Sequence, residues 1–103
     1  MKLNREMRKD LVDIFNHFGK EDQREYLVSE CHEYIRAVKN ANPNCDWYIK
    51  GTSEEKEDAV IDETADLFVL SYQQYLTDPK VRERVNFKIN RTKERIENGY
   101  YDK

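Results

Sequence analysis

Four carboxylates stand where amphipathic helices ought to show apolar residues: Glu30 and Glu33 in one stretch, Glu63 and Asp66 in another. Each pair has i,i+3 spacing, which stacks two side chains on one helix face about a turn apart. Around the first pair, Tyr26, Leu27, Cys31, Tyr34, Ile35 and Val38 define an apolar stripe; around the second, Val60, Leu67 and Leu70 do so. An ionised carboxylate removed from water without a partner costs at least several kcal/mol, roughly. Four converging carboxylates require something positive between them, and the simplest candidate is a hard divalent cation. Mg²⁺ takes oxygen ligands in near-octahedral geometry and keeps waters or substrate phosphates in its shell; Mn²⁺ is a possible substitute. The alternative is that these acids, like Glu57 and Asp62, decorate helix faces and pair with basic side chains. A di-iron centre is disfavoured, because it needs Glu-x-x-His, and Ser29 and Ile14 stand three before His32 and His17.

A basic counterpart lies nearer the C-terminus. Arg84, Lys88, Arg91 and Arg95 follow steps of four, three and four, which makes one stripe on a helix. Beside it run Val81, Val85, Ile89, Thr92 and Ile96, predicted to face the core. Such a ridge can hold phosphate oxygens through charge-assisted, partly bidentate hydrogen bonds. It can equally be a solvated face bridged to Glu83 and Glu94. A cation site and a basic ridge in one domain are what phosphoryl chemistry requires, since charge must be neutralised on both sides of the phosphate. Among the aromatics, Trp47 and Tyr101 are possible base contacts, with Tyr48 and Tyr100 beside them.

Positioning these groups falls to helices. Periodicity and end signals predict an all-α, four-helix bundle-like subunit formed as a single domain over residues 1–103, with helices from about Leu3 to Phe18, Glu21 to Asn40, Thr52 to Thr77 and Pro79 to Asn98. Gly19 ends the first. Asn42-Pro43-Asn44 breaks the chain after the second. Thr52-x-x-Glu55 is a capping-box pattern, and Asp78-Pro79 reads as an N-cap followed by proline at the first helical position. The third helix, through Leu67, Phe68, Val69, Leu70, Tyr72, Tyr75 and Leu76, is apolar nearly all round. A helix of that kind is buried on more than one side, which predicts a homodimer or homotetramer built through it.

Composition narrows the function. With 38% hydrophobic and 38% charged residues over 103 positions, the chain is a small globular protein rather than a disordered one. A formal charge of −3 gives no general reason to expect nucleic-acid binding. Residues 53–78 carry eight acids and one lysine, whereas residues 80–103 carry eight basic and four acidic side chains. Cys31 and Cys45 have no zinc-ligand spacing; Cys31 is expected in the core and Cys45 in a loop. With no apolar run of membrane-spanning length and no signal-peptide pattern, the expected setting is cytoplasmic, with no membrane partner.

At these motifs the chain resembles the all-α nucleoside triphosphate pyrophosphohydrolases of the MazG-like group, in their short bacterial and phage form. His17-Phe18-Gly19-x-x-x-Gln23 resembles the family's entry to its second helix. Glu30-Cys31-His32-Glu33 looks like its E-x-x-E motif, and Glu63-Thr64-Ala65-Asp66-Leu67 like its E-x-x-D motif. The stretch Lys88-x-x-Arg91-Thr92-x-x-Arg95-Ile96-x-x-Gly99-Tyr100-Tyr101-Asp102 is similar to the tail of short members. The resemblance implies that Glu30, Glu33, Glu63 and Asp66 bind Mg²⁺ and form the catalytic set. It also implies that Lys88, Arg91 and Arg95 hold phosphates, and that a nucleoside triphosphate is cleaved to the monophosphate and pyrophosphate in a dimer or tetramer. Two features depart from the family pattern. Ser29 stands where many members have a further Glu, so activation of water falls to the remaining set, Glu30 first. The interval from Glu33 to Glu63 is also long, which makes the Trp47 loop an elaboration. A phosphoribosyl-ATP pyrophosphohydrolase-like enzyme is the nearest alternative, argued against by the Arg91–Tyr101 tail. A non-catalytic helical interaction module is the alternative from another class.

Overall fold

The computed structural model describes residues 4–102, and these form four α-helices, with no strand among them. They are α1 (Arg5–Phe18), α2 (Lys20–Ala41), α3 (Ser53–Thr77) and α4 (Pro79–Glu97). The chain divides into two compact units, one ending at Gln73 and the other beginning at Gln74, so the boundary falls inside α3.

Local chemistry sets the ends. Asn4 caps α1, its Oδ1 accepting from the Met7 amide at 2.8 Å, the bond that satisfies one of the orphan donors of a first turn. Leu3, where α1 was expected to start, lies outside the described residues. Gly19 joins α1 to α2 alone, as the C-cap of one and the N-cap of the other. Its φ of 92° and ψ of 156° belong to a region that only glycine enters easily. Its amide bonds Phe15 O at 2.8 Å while its carbonyl accepts from Gln23 N at 3.0 Å, so one residue closes both helices. After α2, Asn42 Oδ1 accepts from the Asn44 amide at 3.0 Å around Pro43, an Asx turn. Thr52 Oγ1 accepts from Glu55 N at 3.1 Å, and Asp78 Oδ1 from Lys80 N at 2.9 Å, the two N-caps the sequence announced.

In the first unit α1 packs on α2. Its apolar core is small: Leu11 and Leu70 are the buried hydrophobic residues, with buried Gln23 and Gln73 among them. Tyr26, Ile35 and Val38 belong to the expected stripe of α2 yet stay exposed in the single chain, as do Met7, Ile14 and Phe18 on α1 and Ile61, Phe68 and Val69 on α3. Cys31, expected in the core, is exposed too. Periodicity identifies the apolar face, but one chain this small does not carry enough surface to cover it.

In the second unit, Arg82 Nη1 reaches back to the carbonyl oxygens of Tyr75 and Leu76 at 2.9 and 3.0 Å. This satisfies two of the acceptors that a helix C-terminus leaves open. On α4, Val81 and Val85 are half-buried while Ile89, Thr92 and Ile96 are exposed, so the predicted core face is covered only in its first half.

Candidate metal centre

Glu30 projects from the middle of α2 because the stripe Leu27–Glu30–Tyr34 turns that face inward; Glu63 and Asp66 project from α3 at i,i+3. Ligand oxygens of Glu30, Glu63 and Asp66 all lie within 4.8 Å of one another, with Glu30 and Glu63 half-buried and Asp66 exposed. Glu63 Oε2 is buried, and no hydrogen-bond donor among the described residues reaches it. Burial raises the Glu63 carboxyl above its ordinary value, and the adjoining Glu30, then the charges of Asp66 and Glu33, raise it further. Asp66 is raised likewise, by burial first and by Glu30 second. Both shifts have the sign of like charges crowded together and partly desolvated.

Glu33 stands apart from this trio. Its Oε1 lies 3.5 Å from Arg36 Nη1, one turn further along α2, and it acts on Glu63 only through its charge. Three of the four expected carboxylates therefore converge, and the fourth forms an exposed ion pair beside them.

Tyr26 completes the cluster. The charge of Glu30 and a hydrogen bond to that carboxylate raise the Tyr26 hydroxyl's pKa, with smaller effects from Asp66 and Glu63. The phenol thus donates to Glu30 from one turn earlier on α2. In the sequence Tyr26 reads as part of the apolar stripe; the only signal of its second role is the i,i+4 spacing to Glu30.

Trp47 lies in a separate cleft, lined also by His32, Arg36 and Asn40. His32 is two residues from Glu30, a spacing that points side chains to different helix faces. Tyr48, in the same loop, has the Lys56 ammonium of α3 3.4 Å from its ring centroid, a cation–π contact.

The basic residues of α4 lie in the second unit. Arg84 and Arg91 flank the Phe87 ring, their guanidinium carbons 4.5 and 5.6 Å from its centroid. Arg95 covers Tyr100 at 4.5 Å, and Tyr100 meets Tyr101 edge-on at 5.0 Å. Arg91 Nε is buried with no acceptor among the described residues. Lys88 is exposed.

Hard oxygen donors, a buried oxygen without a donor and mutually raised carboxyls fit a small divalent cation better than they fit empty space. The alternative, carboxylates that serve only as ion-pair partners, describes Glu33 but not the trio. No protein-family model, curated protein or solved structure matches the chain. No helix among the described residues is long and apolar enough to cross a membrane.

Proposed function

We propose that the chain is a Mg²⁺-dependent nucleoside triphosphate pyrophosphohydrolase, releasing monophosphate and pyrophosphate. The observation that carries this reading is the convergence of Glu30, Glu63 and Asp66, with one oxygen of Glu63 buried and without a donor among the described residues. The ordered motifs that resemble the MazG-like group add the reaction type to it. Glu30, Glu63 and Asp66 would hold the ion, with Glu33 beside them. When bound, the ion supplies positive charge for phosphate oxygens and lowers the pKa of coordinated water.

The chain's own residues do the rest. Glu30, fixed by the Tyr26 hydroxyl, takes the proton of the attacking water. The new bond forms from water oxygen to the α-phosphorus, and the bond to the bridging oxygen of pyrophosphate breaks. The resemblance assigns phosphate binding to Lys88, Arg91 and Arg95 of the second unit, where the buried Nε of Arg91 is a donor suited to an anion.

Incubating the protein with each NTP and dNTP plus Mg²⁺ tests the reading. Turnover of at least one nucleotide, lost in Glu63→Ala, is expected. No monophosphate from any nucleotide, or full activity in the variant, would overturn it. If the carboxylates were ion-pair partners only, as in a non-catalytic helical module, neither Mg²⁺ nor Mn²⁺ would raise the melting temperature.

The same reading includes self-association. Ile61, Phe68 and Val69 expose apolar surface along α3. With Met7 and Val60 they line an apolar groove of about 670 Å³ between α1 and α3. Exposed apolar area of this kind marks an interaction surface, and a homodimer or homotetramer through α3 covers it. Sedimentation velocity checks this: a monomer at micromolar concentration would refute the assembly and leave the hydrolysis to be judged separately.

A further inference from the structure

The apolar groove between α1 and α3 carries negative charge at its edges. Each wall holds an exposed carboxylate, Asp10 on α1 and Glu57 on α3, while Met7, Leu11, Ile61 and Phe68 supply apolar lining. Residues 53–66 of α3 hold seven acids and one lysine, so the field around the groove is negative. The exposed face of α4 has the opposite sign. Ile89 and Ile96 are 53% and 63% exposed, and they continue, two turns apart, the stripe begun by the half-buried Val85. Lys88 falls on one flank of this stripe, three after Val85 and four before Thr92. Lys93 falls on the other, four after Ile89 and three before Ile96, and both lysines are exposed. The helix's acids, Glu83, Glu94 and Glu97, lie on its far side.

We propose that α4 of a second copy of the chain fills this groove, with Ile89 and Ile96 between the walls and the basic flanks of the helix against Asp10 and Glu57. The inference rests on the self-association reading above and names the element that covers α3. Charge decides between the possible pairings. Groove against groove would set the same acids opposite one another, and like charges facing across an interface are strongly disfavoured. Pairing α4 with α4 would oppose its lysines in the same way. Groove with α4 matches carboxylate to ammonium along the edges and apolar to apolar between them, as an amphipathic helix does when it lies in a groove. Length agrees. At about 1.5 Å per residue, the α3 wall rises about 16 Å from Glu57 to Phe68, and α4 rises about 10 Å from Ile89 to Ile96. Two copies that exchange α4 reciprocally close the assembly at a dimer, since each gives one helix and receives one.

Sedimentation velocity of the whole chain and of charge-reversed variants tests the pairing. The parent is expected to dimerise at micromolar concentration and to dissociate as salt is raised. Lys93→Glu in one chain and Asp10→Lys/Glu57→Lys in another, all at exposed positions, should each raise the dimer dissociation constant roughly tenfold. Circular dichroism should show both variants as helical as the parent. Mixed together they should associate more tightly than either does alone, because the unaltered groove of one then receives the unaltered α4 of the other. Ile96→Glu, also at an exposed position, should weaken the parent dimer without lowering its helicity. A dimer that neither Lys93→Glu nor Ile96→Glu weakens, or that tightens when Asp10 and Glu57 are reversed, refutes the α4 assignment and leaves self-association standing. Weakened variants that gain nothing on mixing refute the assignment too. A parent that stays monomeric refutes both the assignment and self-association.

Discussion

Glu30 and Glu63 bring carboxylate oxygens from α2 and α3 within 4.8 Å of each other, and Glu63 Oε2 is buried without a donor among the described residues. Two like charges so placed oppose folding of the metal-free chain, and a cation that binds only the folded form reverses the sign. At free Mg²⁺ about a hundredfold above Kd the linkage is about 2.7 kcal/mol, a rise in Tm on the order of 10 °C for a domain of this size. Glu63→Gln keeps the volume and removes one charge. We expect the metal-free variant to melt a few degrees higher than the parent and to lose most of the Mg²⁺ response. Melting curves with and without Mg²⁺ read both; a Mg²⁺ response undiminished by the substitution would place the ion elsewhere.

The raised carboxyls also fix a pH dependence. Glu63 and Asp66 have folded pKa values above their ordinary 4.5 and 3.8. A raised folded value means that the folded chain holds these protons more tightly than the unfolded one. Their contribution favours folding fully below the ordinary values and is lost as pH rises through the folded values. Metal-free protein should therefore lose stability from this site as pH rises from the ordinary carboxylate range upward, and saturating Mg²⁺ should flatten or invert the trend. Urea titrations across that range check the sign.

The hydroxyl of Tyr26 donates to Glu30, and the charge of that carboxylate raises the hydroxyl's pKa. Tyr26→Phe keeps the ring and removes the donor. Glu30 then loses the bond that holds its carboxylate in place, and the Mg²⁺-induced rise in Tm should be smaller in the variant. Following the Mg²⁺-induced Tm shift against pH in both proteins decides it; coincident curves would deny Tyr26 any part in the site.

Much of this arrangement was legible in the sequence. The all-helical architecture followed from periodicity, and two of the helix starts followed from Thr52-x-x-Glu55 and Asp78-Pro79, whose caps form as their chemistry requires. The trio followed from i,i+3 acids on apolar stripes. Glu33 was not separable from it, because an i,i+3 neighbour also offered Arg36, and choosing between a metal face and a local ion pair requires three-dimensional placement. Tyr26 was hidden because a phenol serves an apolar stripe and a hydrogen bond equally well. Cys31 and the exposed stripe residues mark a different limit: periodicity says which face is apolar, not whether one chain suffices to cover it.

Arg82 supplies a prediction for the second unit. Its Nη1 donates to the carbonyls of Tyr75 and Leu76 from a part-buried position. Hydrogen bonds to a charged donor are worth about 1.5–3 kcal/mol. Arg82→Ala should cost about 2 kcal/mol in chemical denaturation, and Arg82→Lys, with a compact ammonium in place of the fork, should recover only part of it. Amide exchange should quicken first around residues 74–78.

Gly19 separates backbone from packing. A Cβ built there meets nothing within 4 Å, so a methyl group fits. The φ of 92° and ψ of 156° nonetheless lie where an L-residue pays about 1–3 kcal/mol. Gly19→Ala should therefore destabilise by that amount although no contact is lost. Gly19→Asn should do no better, because asparagine tolerates the left-handed helical region and not this one. The corner also sets the angle at which α2 leaves α1, and Phe18 and Gln23 lie on its two sides. A variant that escapes the strain by relaxing the corner should therefore change the NMR signals of both residues. A Gly19→Ala protein as stable as the parent would show that the corner is not held at this φ.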